Sequence, residues 1–352
     1  MNMAVPSLVR VRAAETSDAA RIATYLDAHS QTSPFHLSRW GRAVAYGCGQ
    51  RSHCLLAERP DGLAGLLSLT EIRSPIFGNA LVSSGFAVGG GVLASDAGAV
   101  APLAEAAVAL ARETGCATVE LRGGPHPGAG WQADTETYVG FARDLQPDEA
   151  AELKAVPRKQ RAEIRKALGS DLTVTTGRDA AHLRAHYAVY AESVRNLGTP
   201  VFPRHLFVSV LEAFGDDADI LVVWKDGAPV AAVFSLYWRG TVYPFWGGGT
   251  AAARGLRAND RMYFALMGHA RARGCTRFDF GRSKAGTGAA AFKKNWGFEP
   301  APLTYYKRST DGAEPRSINP DDPKYRVQVA LWQKLPLFVA NRVGPFIARG
   351  LG

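Results

Sequence analysis

The order of apolar and polar positions predicts one set of strands and amphipathic helices that occurs twice along the chain. Between residues 54 and 121, two strand-like runs joined by a turn are followed by a glycine-rich strand, an apolar helix and a further strand. The same order returns between residues 221 and 280. Because two-residue and helical periods alternate along the chain, we predict an α/β protein with mixed sheets.

Landmark residues of the two copies recur at nearly constant separations of 165, 158 and 159 residues: Gly62 with Gly227, Gly89 with Gly247, and Cys116 with Cys275. Chance clustering of glycines would keep neither this order nor this spacing, so we predict one fold used twice. We expect a first domain at 1–150, a second at 151–310 that opens with a basic helix at 154–168, and an amphipathic tail at 311–352.

The stretch 277–298 is the strongest candidate for a functional element. It predicts a short strand, a glycine-rich loop and a helical turn in which Phe292 and Trp296 form one aromatic face. Four of its cations are candidates for binding an anion: Arg282, Lys284, Lys293 and Lys294. A solvated turn is the alternative for the loop. A nucleotide-binding GxxxxGK[ST] loop is excluded, since Thr287 and Gly288 follow Gly286.

The net charge of +9 is concentrated in two windows of the 352-residue chain. Residues 254–294 contain ten Lys or Arg and two Asp, and residues 154–166 contain six Lys or Arg and one Glu. This concentration of positive charge predicts a phosphorylated or carboxylate-bearing partner, and we expect no DNA partner. A solvated basic surface is the alternative for the helix.

Two groups of arginines are candidate anion ligands. In the basic helix, the forked guanidinium groups of Arg158 and Arg161 suit phosphate oxygens. After the second glycine-rich strand, Asn259 or Asp260 is predicted to cap a helix, whose N-terminus attracts anions, and Arg254 and Arg257 precede it.

Several other chemistries have no support in the sequence. The four cysteines form no metal or CxxC spacing, which predicts reduced thiols and a cytoplasmic protein. His182 and His186 lack the glutamate of HExxH, so we expect surface histidines and no metal, and no GxSxG elbow occurs. We also expect no tightly bound cofactor and, since no apolar run is long enough, no membrane span.

The sequence resembles the FemAB family, aminoacyltransferases that add amino acids to peptidoglycan precursors and contain two GNAT-like (acyl-CoA N-acyltransferase-like) domains. The resemblance spans nearly the whole chain through residues 35–40, 157–165 and 279–281 and the Phe-Lys pair at 292–293. Residues 190–200 and 243–249 are similar to FemAB-type proteins of exosortase/PEP-CTERM and exopolysaccharide loci.

The resemblance implies a tandem GNAT-like fold with Lys293 beside the acyl-transfer centre. It also implies that Arg42, Arg158 and Arg161 contact the diphosphate of the precursor. We expect Lys293 to stabilise the developing oxyanion and Asp279 to orient a basic neighbour.

The expected reaction is aminoacyl or acyl transfer to an amine of an anionic, phosphorylated or lipid-linked envelope precursor. The donor would be aminoacyl-tRNA or acyl-CoA. The long helical arm of some members is absent, and residues 254–258 depart from the acetyltransferase pyrophosphate loop. A CoA-dependent N-acetyltransferase and a non-catalytic binding module of an exopolysaccharide locus stay open as alternatives.

The tail combines apolar residues with Lys334, Arg342 and Arg349, and we predict that Pro336 and Pro345 divide it into short pieces. One interpretation is that it docks on the protein's own domains. The other is peripheral attachment to the cytoplasmic leaflet of the membrane, where basic and aromatic residues both contribute.

Overall fold

The computed structural model describes residues 9–312, 314–315 and 326–352. The chain divides into two compact units. Unit 1 is built from the described residues of Met1–Thr135, Thr304–Ile318 and Arg349–Gly352. Unit 2 is built from the described residues of Glu136–Leu303 and Asn319–Ala348.

The first part of the chain forms six strands and three helices: β1 (Arg10–Ala13), α1 (Ala19–Ala28), α2 (Ser38–Cys48), β2 (Arg51–Arg59), β3 (Gly62–Ile72), β4 (Ala80–Ser83), β5 (Leu93–Ala94), α3 (Val100–Glu113) and β6 (Thr118–Arg122). Strands β1 to β4 pair antiparallel in chain order, and the short β5 also pairs with β3. Helix α3 then connects β4 to β6, which pair parallel.

The second part begins with strand β7 and ends with two helices: β7 (Gln132–Asp144), α4 (Glu149–Ala155), α5 (Arg158–Leu168), β8 (Thr173–Gly177), α6 (Ala180–Asn196), α7 (Arg204–Phe214), β9 (Ala218–Lys225), β10 (Ala228–Trp238), β11 (Thr241–Gly249), α8 (Ala253–Leu256), α9 (Ala258–Ala272), β12 (Arg277–Lys284), α10 (Gly288–Asn295), β13 (Pro300–Ser309), α11 (Arg326–Lys334) and α12 (Leu337–Ala348). Strands β8 to β11 pair antiparallel in chain order. Helix α9 connects β11 to β12, which pair parallel.

The pairing pattern is the same in both units, three antiparallel pairs followed by a helical crossover to a parallel strand. The predicted mixed α/β fold in two copies is therefore confirmed.

In each unit, the strand after the crossover pairs on its other side with a strand from a distant part of the chain. In unit 1, Tyr305 to Ser309 of β13 pair antiparallel with β6. In unit 2, Tyr138 to Asp144 of β7 pair antiparallel with β12. Each half of the chain thus supplies the last strand for the fold of the other half.

Each face of the unit 2 sheet is covered by helices. Val233 faces a core formed with α9, and its neighbour Phe234 faces α6 and α7, because successive strand residues point to opposite sides. His186 of α6 lies fully buried in this second layer, with Nε2 hydrogen-bonded to the carbonyl of Trp246 at 2.8 Å. The prediction of a surface histidine was wrong for His186, because the aromatic layer that buries it is contributed by distant residues. His182 is partly buried and hydrogen-bonded to Asp179 at 3.0 Å.

Two helix starts differ from those predicted. The basic helix begins at Arg158 rather than residue 154, because α4 ends at Ala155 and Pro157 has an extended backbone. Helix α9 begins at Ala258 with Arg257 as its N-cap, so neither Asn259 nor Asp260 caps it. The positive φ of Arg257 (56°) ends the short helix α8 and sets this start.

The tail forms two helices rather than three pieces. Pro336 separates α11 from α12, as predicted, but Pro345 lies inside α12. Close packing of Ala340, Gly344 and Ala348 keeps this helix continuous although a proline lacks the N–H of a helical hydrogen bond. None of the helices in the described ranges has the length and apolar character needed to cross a membrane.

Candidate functional site

The site lies where the two parallel strands of unit 2 separate. Strands β11 and β12 pair through Thr241 with Arg277 and through Val242 with Phe278. Among the described residues the pairing ends there, although β11 continues to Gly249 and β12 to Lys284. The separation leaves a gap bounded by the second half of each strand.

A β-bulge shapes the β12 side of this gap. The pairing with β7 shifts between Asp279 and Arg282, so that two residues of β12 lie opposite one of β7. Gly281 takes a φ of 68°, which a residue with a side chain adopts at a cost. The Asp279 carboxylate accepts the N–H of Gly281 at 2.9 Å and so holds the bulge. Burial raises the pKa of Asp279, and the Gly281 N–H and Lys293 oppose this shift.

Lys293 reaches this bulge from helix α10. Its ammonium donates hydrogen bonds to the carbonyls of Gly281 at 3.2 Å and Arg282 at 2.9 Å. It also lies 5.4 Å from the ring centroids of Phe141 and Phe280. Burial lowers the pKa of Lys293 to about 8, although the nearby Asp279 opposes the shift.

The aromatic face of α10 fixes the position of this lysine. Trp296 is fully buried, and both Phe292 and Trp296 pack against Tyr263 of α9. Thr287 caps the helix by accepting the N–H of Ala290 at 3.4 Å. The predicted helical turn is therefore present, and it directs Lys293 toward the strand.

Arg282 and Lys284 lie on β12 itself and not on a loop as predicted, since the bulge at Gly281 lets the strand continue to Lys284. The Arg282 guanidinium stacks over the Tyr138 ring at 4.6 Å. Lys294 follows Lys293 on α10 and is exposed.

Two of the predicted anion ligands are bound to groups of the protein. Arg161 donates to the carbonyls of Lys154 at 2.6 Å and Val156 at 3.0 Å. Arg257 forms an ion pair with Glu163. These contacts compete with phosphate for both guanidinium groups.

The other three predicted arginines are exposed. Arg158 is at the start of α5 and Arg254 is in α8, both in unit 2. Arg42 is on α2 of unit 1.

Sequence reasoning did not predict the contacts of two acidic residues near the start of α9. Glu192 of α6 accepts the N–H of Ala251 at 2.7 Å. Asp260 accepts a hydrogen bond from Gln160 at 2.5 Å, and burial raises its pKa to about 6. The resemblance at 190–200 included Glu192 without indicating its role. Carboxylates thus lie near residues 254–258, the stretch that departs from the acetyltransferase pyrophosphate loop.

The corresponding place in unit 1 is filled by the protein. Strands β4 and β6 pair from Ala80 to Val82, and beyond this point the backbone N–H of Arg122 donates to Ser83 Oγ at 2.7 Å. The N–H of Gly91 donates to the Arg122 carbonyl at 2.9 Å, and the Arg122 guanidinium donates to the Ala87 carbonyl at 2.8 Å. A loop therefore closes the gap that is open in unit 2.

The gap brings together the Lys293 ammonium, whose pKa is lowered, the Asp279 carboxylate and the parts of β11 and β12 beyond their last pair. A partly buried ammonium at such a gap is suited to hold a carbonyl oxygen that becomes negative during reaction. No group of three His, Cys, Asp or Glu within the described part of the chain is arranged to hold a metal ion.

Residues 154–294 match the sequence profile of the acetyltransferase (GNAT) domain. This stretch is similar to acyltransferase domains of the GNAT type. It contains the separated strands, the bulge and Lys293, so the candidate site lies within the matched stretch. No curated protein matches the chain.

Solved structures with the tandem fold are similar to this chain at low sequence identity. FemX has a TM-score of 0.66 and 14% identity, covering 84% of this chain and 96% of its own. A tandem GNAT protein from the clavulanic acid biosynthesis pathway has a TM-score of 0.59 and 12% identity, covering 87% and 100%. L-PGS from Bacillus licheniformis has a TM-score of 0.53 and 14% identity, covering 91% and 98%. These similarities establish the tandem GNAT fold.

Proposed function

We propose that the chain transfers an aminoacyl group, or another acyl group, to an amine of a phosphorylated or lipid-linked cell-envelope precursor. The observation that carries this proposal is the Lys293 ammonium, held against the β12 bulge at an open gap between parallel strands. An ammonium has three N–H groups, and the carbonyls of Gly281 and Arg282 use two of them. The third would hydrogen-bond the carbonyl oxygen of the acyl donor.

The proposed step is nucleophilic acyl transfer. The neutral amine attacks the carbonyl carbon, a C–N bond forms, and the bond to the leaving oxygen or sulfur breaks. The amine loses one proton and the leaving group gains one, so charge and atoms balance. Lys293 stabilises the negative oxygen between these events, and Asp279 is a positioning residue that holds the bulge.

Aminoacyl-tRNA is preferred to acyl-CoA as the donor because of the carboxylates near α9. Glu192 occupies the N–H of Ala251, and Glu163 pairs with Arg257. A CoA pyrophosphate in this place would have to displace these carboxylates from the Ala251 N–H and from Arg257.

A CoA-dependent N-acetyltransferase is the second candidate, because the GNAT profile matches residues 154–294 and the strands separate as a pantetheine arm would require. Under either donor the exposed cations of unit 2, Arg158, Arg254 and Lys294, are proposed to bind anionic substrate groups.

The test is mass spectrometry of envelope precursors from cells with and without the gene. An enzyme of this kind predicts a precursor that lacks one amino-acid or acyl mass increment in the deletion strain. Identical precursors in the two strains would refute the proposed transfer and favour a non-catalytic binding module.

A further inference from the structure

Helix α12 has its small residues on the inner side and its large apolar residues on the outer side. Ala340 and Ala348 are 2% and 0% exposed, and Gly344 between them is buried. Phe338 and Phe346 are 77% and 65% exposed. With about 100° between successive residues, the centres of these two rows lie about 160° apart on the helix. Burial of apolar surface within the chain would favour the reverse orientation.

The small face is fixed by a close backbone contact in unit 2. A Cβ atom on Gly344 would lie 3.1 Å from the backbone nitrogen of Val201. A rotation that turned Phe338 inward would have to break this contact and fit a ring where only a hydrogen fits. The two phenylalanines are therefore held outward by the packing of the helix.

Helix α11 and the end of α6 continue the outward apolar surface. Val327 and Leu331 are one helical turn apart and are 67% and 62% exposed, and Leu197 is 70% exposed. Gln333 ties α11 to the end of α6 by donating to the Asn196 carbonyl at 3.2 Å. We call Leu197, Val327, Leu331, Phe338 and Phe346 the tail face.

The charged residues of 326–352 all have the same sign. Residues 326–352 include no Asp or Glu. Arg326, Lys334 and Arg342 are exposed, and Arg342 lies on α12 between Phe338 and Phe346 at intervals of four residues. The aromatic row of the helix thus contains a cation.

We infer that the tail face docks on an anionic membrane surface. Aromatic side chains enter the region between headgroups and acyl chains, and the cations remain among the phosphates. A second copy of the chain fits less well, because two such faces would bring Arg342 and Lys334 of each copy together without any acid of 326–352 to pair with them. This inference does not depend on the transfer activity.

The experiment is co-sedimentation of the full chain with vesicles of phosphatidylcholine alone or mixed with phosphatidylglycerol. We expect binding to the mixed vesicles that weakens as salt is added. Replacing both aromatics, Phe338→Ser with Phe346→Ser, should weaken binding by roughly tenfold or more. Arg342→Gln should weaken it by about fivefold on mixed vesicles and leave it unchanged on neutral ones.

The matched control replaces Tyr46 and Ile76, which are 78% and 62% exposed in unit 1, by serine. Since all four replaced side chains are exposed, each variant should unfold at the temperature of the unchanged protein. Equal vesicle binding by the Phe338/Phe346 variant and the control would overturn the inference, as would no binding of the intact chain at low salt. Concentration-dependent dimerisation that Phe338→Ser abolishes, without vesicle binding, would overturn it in favour of a second copy.

Discussion

At the scale of the residue, the account depends on the environment of Lys293. Its ammonium has two carbonyl partners and two aromatic rings around it, and burial lowers its pKa to about 8. Asp279 raises the pKa of Lys293 against this effect. At neutral pH the side chain is therefore mostly a cation that has lost much of its hydration, which strengthens its interaction with a developing negative oxygen.

The pKa of Lys293 can be measured by NMR titration of protein labelled with 13C at the lysine ε-carbon. We expect one lysine to titrate near pH 8, and Lys293→Arg identifies its signal by removing it. Asp279→Asn should lower this pKa further, since the carboxylate that favours the cation is gone. Titration of Lys293 above pH 10, or a pKa that rises in Asp279→Asn, would contradict the described environment.

The stability of the protein should depend on pH through the lowered pKa of Lys293. The folded-state pKa lies below the ordinary value of 10.5, so between pH 8 and 10.5 the unfolded chain binds more protons than the folded one. The contribution of Lys293 to the free energy of unfolding therefore rises with pH across this window.

Sequence reasoning proposed cations for the candidate site but could not predict which groups they contact. Lys293 follows from the family motif, and the aromatic face formed by Phe292 and Trp296 follows from the helical spacing. The partners of Arg257 could not be predicted, because Glu163 is 94 residues away and is brought near by the packing of α5 on α9. Likewise, nothing near Arg161 in the sequence indicates that its guanidinium binds the carbonyls at the end of α4.

At the scale of the element, the glycines of β11 allow helices to approach the strand on both faces. A Cβ atom on Gly248 would lie 2.4 Å from Ser193 Oγ of α6. A Cβ atom on Gly249 would lie 2.6 Å from the Cβ atom of Ala253 on the opposite face. The glycine-rich strand that the sequence predicted thus has a packing cause, since these positions have no room for a methyl group.

This packing predicts the effect of a single methyl group on stability. Gly248→Ala should lower the free energy of unfolding by about 1–3 kcal/mol, because α6 must move away from β11. The measurement is urea denaturation followed by circular dichroism.

Gly255→Ala is the matched control, since nothing lies within 4 Å of a Cβ atom at this position of α8. Alanine there should be neutral or stabilising by up to about 1 kcal/mol. Equal stability of Gly248→Ala and the unchanged protein would show that α6 does not approach β11 as closely as described.

At the scale of the whole molecule, the duplication was predictable and the exchange of strands was not. Landmarks at a constant separation show that a fold is repeated, because each copy needs the same turns and the same glycine strand. Which strand completes each sheet depends on pairing between β6 and β13 and between β12 and β7, at sequence separations that leave no periodic signal. The filled gap of unit 1 and the open gap of unit 2 depend on the same unpredictable long-range contacts.

The open gap of unit 2 can be tested for CoA binding on the intact protein. A donor other than acyl-CoA predicts that acetyl-CoA at millimolar concentration leaves the melting temperature unchanged, because Glu192 already binds the N–H of Ala251 and Glu163 already pairs with Arg257. If acetyl-CoA bound, a concentration a hundredfold above its dissociation constant would add about 2.7 kcal/mol to the free energy of unfolding. The melting temperature would then rise by several degrees. A rise of this size would identify the chain as a CoA-dependent N-acetyltransferase.

The central claim is that Lys293 drives acyl transfer to an envelope precursor. The direct measurement is the rate at which the missing mass increment returns to the precursors when the deletion strain is induced to express the unchanged gene, Lys293→Met or Lys225→Met. Lys225 is a control from the same unit, paired with Asp171 on the surface. We predict that Lys225→Met restores the increment at the unchanged rate and that Lys293→Met is slower by about a hundredfold or more, with equal protein levels. Restoration by Lys293→Met at the rate of the unchanged gene would contradict the account.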